Sequence, residues 1–119
     1  MPAYYRRNTN KYGNIKRRID GHTFDSIKEA TRYAELKVLE KAGEISDLKL
    51  QVPYELQPAF EDTRGHKHRA IQYYADFVYT DKDGVTHIED VKSEATRRDQ
   101  IYRLKRKMMA YHGWYIEEV

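Results

Sequence analysis

The sequence predicts an α+β domain in which helices pack on one mixed β-sheet. Three observations carry that expectation. Between Ser26 and Ala42 apolar residues recur at helical spacing, at Ile27, Ala30, Ala34 and Val38. From Ile45 to Lys92 the pattern changes to the alternation of strands. A second helical stripe follows at Ile101, Leu104, Met108 and Tyr111, and then a last apolar run, Trp114 to Val119.

In chain order, residues 1–18 read as a basic arm, with Tyr4, Tyr5 and Tyr12 interleaved among arginines and lysines. Such a segment suits phosphates and base stacking, and equally suits a terminus without a role. Residues 19–119 read as a single domain. Arg17 to Ile19 begins a short strand that ends in a turn at Asp20-Gly21. Ser26-Ile27-Lys28-Glu29 has the form of a capping box, with Asp25 as the alternative cap. The first helix runs to about Ala42 and stops at Gly43. Ile45 to Gln57 alternates as a strand, and Pro53 demotes part of it to a sheet edge. Residues 61–69 form a polar loop. Its His66 and His68 have no third metal ligand nearby in sequence, so a transition-metal site is not expected. A second helix is expected from Thr96 to about His112, closed by Gly113.

The densest chemistry lies in the hairpin. Tyr73 to Tyr79 and Val85 to Lys92 are β-rich runs joined by the turn Asp81-Lys82-Asp83-Gly84. Strict alternation puts Tyr73, Ala75, Phe77 and Tyr79 on one face and Asp76 on the other. Asp90 and Lys92 are two apart and share a face, with Val91 pointing into the core. Glu89 shares the face of Val91, so Asp90 is preferred to Glu89 as partner of Asp76. A carboxylate on each strand beside a lysine suits a hard divalent cation and the activation of water. An Asp76–Lys92 ion pair without a metal is the bland alternative.

Composition bounds the rest. The 119 residues suffice for one domain, and 39% hydrophobic against 34% charged residues implies a modest core under a highly charged surface. Eleven tyrosines supply apolar bulk with a polar tip. The absence of cysteine excludes disulfides and thiolate metal sites and fits an intracellular protein. No long apolar run is present and the N-terminus is unlike a signal peptide, so a cytoplasmic protein without a membrane partner is expected. Net charge is only +3, but residues 6–18 carry +6 and residues 97–107 carry +5, against −8 elsewhere. Basic segments around an acidic body fit a polyanion beside a metal pocket. Arg17, Arg18, Arg98, Arg103, Lys105 and Arg106 are the candidate DNA contacts.

The pattern of Asp76, a strand and turn, then Glu89-Asp90-Val91-Lys92 resembles the PD-(D/E)xK nuclease superfamily. More specifically, the chain resembles a small phage-encoded endonuclease family within it. The matching stretches are Gly21 to Ala30, Gly43 to Leu48, Tyr74 to Phe77, Glu89 to Lys92 and Tyr102 to Lys107. Ala75 stands where the superfamily's name has Pro. The resemblance implies a restriction-endonuclease-like αβββαβ core. It also implies a phage or prophage enzyme in a bacterial host that hydrolyses DNA phosphodiester bonds with Mg²⁺, or Mn²⁺ as substitute. Asp76 and Asp90 would hold the metal, with the Val91 carbonyl adding an oxygen and Glu29 from the first helix completing the set. Glu29 also has a complete explanation as a helix cap. Lys92 would orient water or stabilise charge. Branched DNA such as Holliday junctions is the implied substrate, and a homodimer the implied assembly. A non-catalytic DNA-binding or protein-interaction module of phage replication is the alternative.

Overall fold

A computed structural model describes residues 16–119. The expected stacking residues Tyr4, Tyr5 and Tyr12 lie outside the described residues. The chain divides into two compact units, one reaching to Glu44 and the other running Ile45–Val119.

In the first unit, β1 (Arg17–Ile19) and β2 (His22–Phe24) form an antiparallel hairpin. Its turn is Asp20-Gly21, both at positive φ (53° and 81°), the conformation of a tight two-residue hairpin turn. The strand expected from Arg17 to Ile19 is present, and Arg17 and Arg18 stand in it. Helix α1 (Ile27–Lys41) follows, capped by Ser26, whose Oγ accepts the Glu29 N–H at 3.1 Å. Ser26 rather than Asp25 is thus the cap. The helix ends at Gly43, whose φ of 79° lets the Glu44 N–H return to the Leu39 carbonyl at 2.9 Å. The Tyr33 ring packs tilted against Phe24, centroids 5.0 Å apart, and its hydroxyl donates to Asp20 at 2.9 Å, fastening the helix to the hairpin turn. The expected stripe is corrected. Ala30, Tyr33 and Leu36 are buried, whereas Ile27 and Val38 are exposed. Tyr33 carries an apolar ring inward and shifts the buried face around the helix.

The second unit is built on a four-stranded sheet. Its strands are β3 (Ile45–Gln57), β6 (Ile71–Asp81), β7 (Thr86–Asp90) and β8 (Ile116–Glu118), in the order β3-β6-β7-β8. The first two pairings are antiparallel and β7 with β8 is parallel, so the sheet is mixed. A parallel neighbour needs a crossover, supplied here by α2 (Glu94–Arg98) and α3 (Gln100–Tyr111). Strand β3 is an edge, which accommodates Pro53. The polar loop holds a small hairpin of β4 (Phe60–Glu61) and β5 (Lys67–His68). After α1, the elements of the main sheet and its crossover run strand, strand, strand, two helices, strand.

One helix was expected where two exist. Asp99 takes an extended ψ of 127° and caps α3, accepting the N–H groups of Ile101 and Tyr102 at 2.8 and 3.4 Å. Ser93 caps α2 in the same manner. The stripe predicted for this segment is also corrected. Tyr102 and Met109 are buried, while Ile101, Leu104 and Tyr111 are exposed. Tyr102 and Met109 join Leu56, Tyr73, Ala75, Val78 and Ile88 in the core of the unit.

Candidate functional site

The site forms where β6 and β7 stop pairing. The register runs from Thr80 opposite Thr86 to Phe77 opposite Glu89. One step further stand Asp76 and Asp90. The Asp76 N–H donates to Asp90 Oδ1 at 2.9 Å, and the Val91 N–H donates to Asp76 Oδ2 at 3.0 Å. Side chains thus replace the ladder bonds that backbone would have made.

Alternation along β6 slips by one residue at this point. Tyr73 and Ala75 share a core cluster with Val78 and Ile88, although strict alternation separates them. The face assignment expected from the sequence is therefore corrected. Tyr73 lies on the side of Asp90, and its hydroxyl donates to Asp90 Oδ2. Phe77, Tyr79 and Glu89 lie on the other side, and the Tyr79 hydroxyl donates to Glu89. Both acids of the pair Glu89-Asp90 are buried, each held by its own tyrosine.

A residue not foreseen from sequence completes the pair. Gln51 Nε2 donates to Asp76 Oδ1 at 3.0 Å. Gln51 sits mid-strand with φ of 50°, a conformation that costs an L-residue roughly 1–2 kcal/mol. No local signal marks it, because a glutamine in an edge strand is ordinary and its backbone angle is not written in its neighbours.

Lys92 lies just beyond β7 rather than within it, and Val91 is half-buried rather than a core residue. The strand's hydrogen bonds nonetheless continue to β8: Val119 N–H donates to the Asp90 carbonyl and Lys92 N–H to the Val119 carbonyl, at 2.9 and 3.2 Å. This pins the lysine's backbone. Its Nζ sits 4.5 Å from the centre of the Tyr102 ring and 5.8 Å from that of Tyr73, a cation–π placement. Tyr102 in turn donates its hydroxyl to Glu118, which also meets Arg106 and Arg97 at 3.6 and 3.8 Å.

Burial, foremost, and the neighbouring Asp76 carboxylate push the Asp90 carboxyl up to about 7, against the opposing pull of Lys92. Burial and Asp90 together raise the Tyr73 hydroxyl, and burial and Glu118 raise that of Tyr102, so both remain proton donors. Two acids held together, one of them buried and pushed toward its protonated form, mark a place where positive charge is favoured.

Glu29 is described within the first unit. It is buried, its carboxylate accepts the Asp25 N–H at 3.3 Å, and it occupies the first turn of α1. That is the capping role. Of the basic candidates, Arg98 pairs with Glu94 at 3.5 Å and Arg106 with Glu118, whereas Arg103 and Lys105 have no carboxylate partner among the described residues. His68 meets Asp62 at 2.9 Å and stacks on Phe60. Among the described residues no three His, Cys, Asp or Glu side chains are grouped to hold a metal. No described helix is long and apolar enough to cross a membrane.

The fold defines a small α+β protein with two acids paired across a hairpin. Residues 9–118 match the model of a family of proteins of unknown function (DUF1064), and the chain belongs to that family. No curated protein and no solved structure matches it.

Proposed function

We propose that this protein is a metal-dependent DNA endonuclease with a restriction-endonuclease-like core. The observation that carries the reading is the opposition of Asp76 and Asp90 on adjacent strands with Lys92 in electrostatic reach of Asp90. The donor chemistry fits Mg²⁺: two carboxylates and the Val91 carbonyl are hard oxygen donors, and this ion keeps several waters. Mn²⁺ is the natural substitute. When bound, Mg²⁺ lowers the pKa of a coordinated water and offsets charge developing on the phosphate.

The chain's own residues then have distinct tasks. Asp76 and Asp90 bind the ion, and Gln51 and Tyr73 fix the rotamers of these acids by hydrogen bonds. Lys92 is an electrostatic group rather than a base, since a charged ammonium has no free lone pair to accept a proton. Its seat over the Tyr102 ring holds the ammonium in place. Arg17, Arg18, Arg98, Arg103, Lys105 and Arg106 supply phosphate contacts. Branched DNA as substrate and a homodimer as the working assembly follow from the resemblance.

A second reading has its own observation. All four carboxylate oxygens of Asp76 and Asp90 already accept a hydrogen bond within the protein. A structural clasp in a non-catalytic DNA-binding or accessory module has the same appearance. Incubating linear, nicked, flapped and four-way DNA with Mg²⁺, Mn²⁺ or EDTA separates the two. Metal-dependent cleavage supports the enzyme, and DNA binding without cleavage under every metal supports the module.

A further inference from the structure

We propose that the outer face of α3 binds nucleic acid presenting unpaired or unstacked bases, with Arg103 and Lys107 on phosphates and Leu104 and Tyr111 against base faces. The inference rests on the DNA reading above but not on catalysis.

Arg103, Lys107 and Tyr111 are spaced by four, and Leu104 lies three before Lys107 and seven before Tyr111. On an α-helix these four share one side. It is the side opposite Tyr102 and Met109, which turn into the core. Leu104 is 58% exposed and Tyr111 88%. Gln100, Arg103, Leu104 and Lys107 line a shallow hollow on this face. The helix contains no acid, and neither Arg103 nor Lys107 has a carboxylate partner among the described residues.

Two of these residues decide the class of ligand. Cations alone fit any duplex backbone. An exposed leucine and tyrosine beside them gain little from phosphate. They gain from flat apolar surface, which nucleic acid offers where bases are unstacked, in single strands and at branch points. A second copy of this helix would bring like charges together at Arg103 and Lys107, which disfavours self-pairing. Of the four cations between Arg103 and Lys107, Arg106 is paired with Glu118, whereas Arg103 and Lys107 stand on this face without a carboxylate partner among the described residues, which suits the regularly repeated charge of a phosphate chain.

The test is fluorescence anisotropy in EDTA with labelled single-stranded, duplex and four-way DNA of matched length. Leu104→Ser with Tyr111→Ser alters only exposed positions, and unchanged thermal unfolding verifies the fold. The expected result is an affinity loss of at least about fivefold on single-stranded and four-way DNA, with duplex affinity held within about twofold. Arg103→Gln with Lys107→Gln should weaken all three and flatten the log–log salt slope by about 2 on duplex. Equal loss on duplex, or no loss on any DNA, overturns the proposal. So does failure of the unaltered chain to bind DNA at low salt, which would make this face a site for an acidic protein. A change in sedimentation of the serine variant would instead make it a contact between copies. Failure here with metal-dependent cleavage retained leaves the nuclease reading standing, and base preference without cleavage under any metal overturns that reading alone.

Discussion

Asp76 and Asp90 each hold the other's strand: the Asp76 N–H donates to the Asp90 carboxylate at 2.9 Å, and the Asp76 carboxylate takes the N–H of Val91, the residue after Asp90, at 3.0 Å. This reciprocal clasp begins one residue past the last paired rung of β6 and β7. It splays the ladder where two like charges meet, so the sheet sacrifices backbone pairing to keep two acids together. Burial makes that arrangement costly unless a proton or a cation offsets the charge.

The first prediction tests what offsets it. Asp90 has a folded-state pKa of about 7, above its ordinary 3.8. The folded state therefore retains a proton that the unfolded chain has lost. The associated stability is complete below the ordinary value and is lost as pH rises through about 7. Asp90→Asn should remove that decline. Above neutrality Mg²⁺ should raise the melting temperature of the unaltered protein and shift Asp76→Asn and Asp90→Asn far less. Both variants should also lose cleavage of DNA. Thermal unfolding with Mg²⁺ and with EDTA measures the first two effects, and an equal Mg²⁺ shift in all three proteins would rule out these carboxylates as ligands.

Gln51 gives the second. Gln51→Ala loses the hydrogen bond to Asp76 and keeps the unfavourable positive φ, so it should destabilise by about 1 kcal/mol. Gln51→Gly loses the same bond but relieves the backbone, and should be more stable than the alanine variant by about 1 kcal/mol. Both should reduce cleavage, because Asp76 loses the group that orients it. Urea unfolding ranks the variants, and alanine equal to glycine would mean that this backbone stores no strain.

The third separates the two buried acids. Glu89 is held by Tyr79 on the sheet side opposite Asp90. Tyr79→Phe deletes a buried donor and should cost about 1–3 kcal/mol of stability. Glu89→Gln should leave cleavage much closer to normal than Asp90→Asn does. Single-turnover rates on folded protein decide it. A dead Glu89→Gln beside an active Asp90→Asn would reverse the assignment.

The fourth concerns a second charged cluster. His87 on β7 bridges Asp81 at 2.7 Å and Glu117 on β8 at 2.6 Å, with its ring stacked on Tyr79. Both ring nitrogens face carboxylates, so the imidazolium is the form that satisfies them. The hydrogen bonds that His87 donates, first to Asp81 and then to Glu117, raise its pKa, and the bond accepted from His87 lowers that of Asp81. The histidine's contribution is present below its ordinary pKa and is lost as pH rises through the raised one. The Asp81 contribution is present above the ordinary carboxylate value and is lost as pH falls through the lowered one. Stability from this bridge should peak between those limits, and His87→Gln should flatten the alkaline side of the profile. Urea midpoints across pH would show it, and parallel profiles for the two proteins would refute it.

Elements whose cause is local were legible in the sequence. The cap at Ser26, the stop at Gly43, strand β3 from Ile45 to Gln57 and the turn from Asp81 to Gly84 follow from side-chain hydrogen bonding, glycine's positive φ and alternation, all written in neighbouring residues. The spacing of Asp76 and Asp90 about that turn also announced that the two acids would meet. Tertiary structure alone decided which faces turn inward. Ile101, Leu104 and Tyr111 form an apolar stripe as good as any, yet Tyr102 and Met109 fill the core, because the Asp99 cap restarts the helix and sets its rotation. The slip in β6 that carries Tyr73 to Asp90, and the strained backbone that brings Gln51 to Asp76, arise between strands distant in sequence. Such features are fixed by the pairing energy of the whole sheet, and no short window of residues contains that energy.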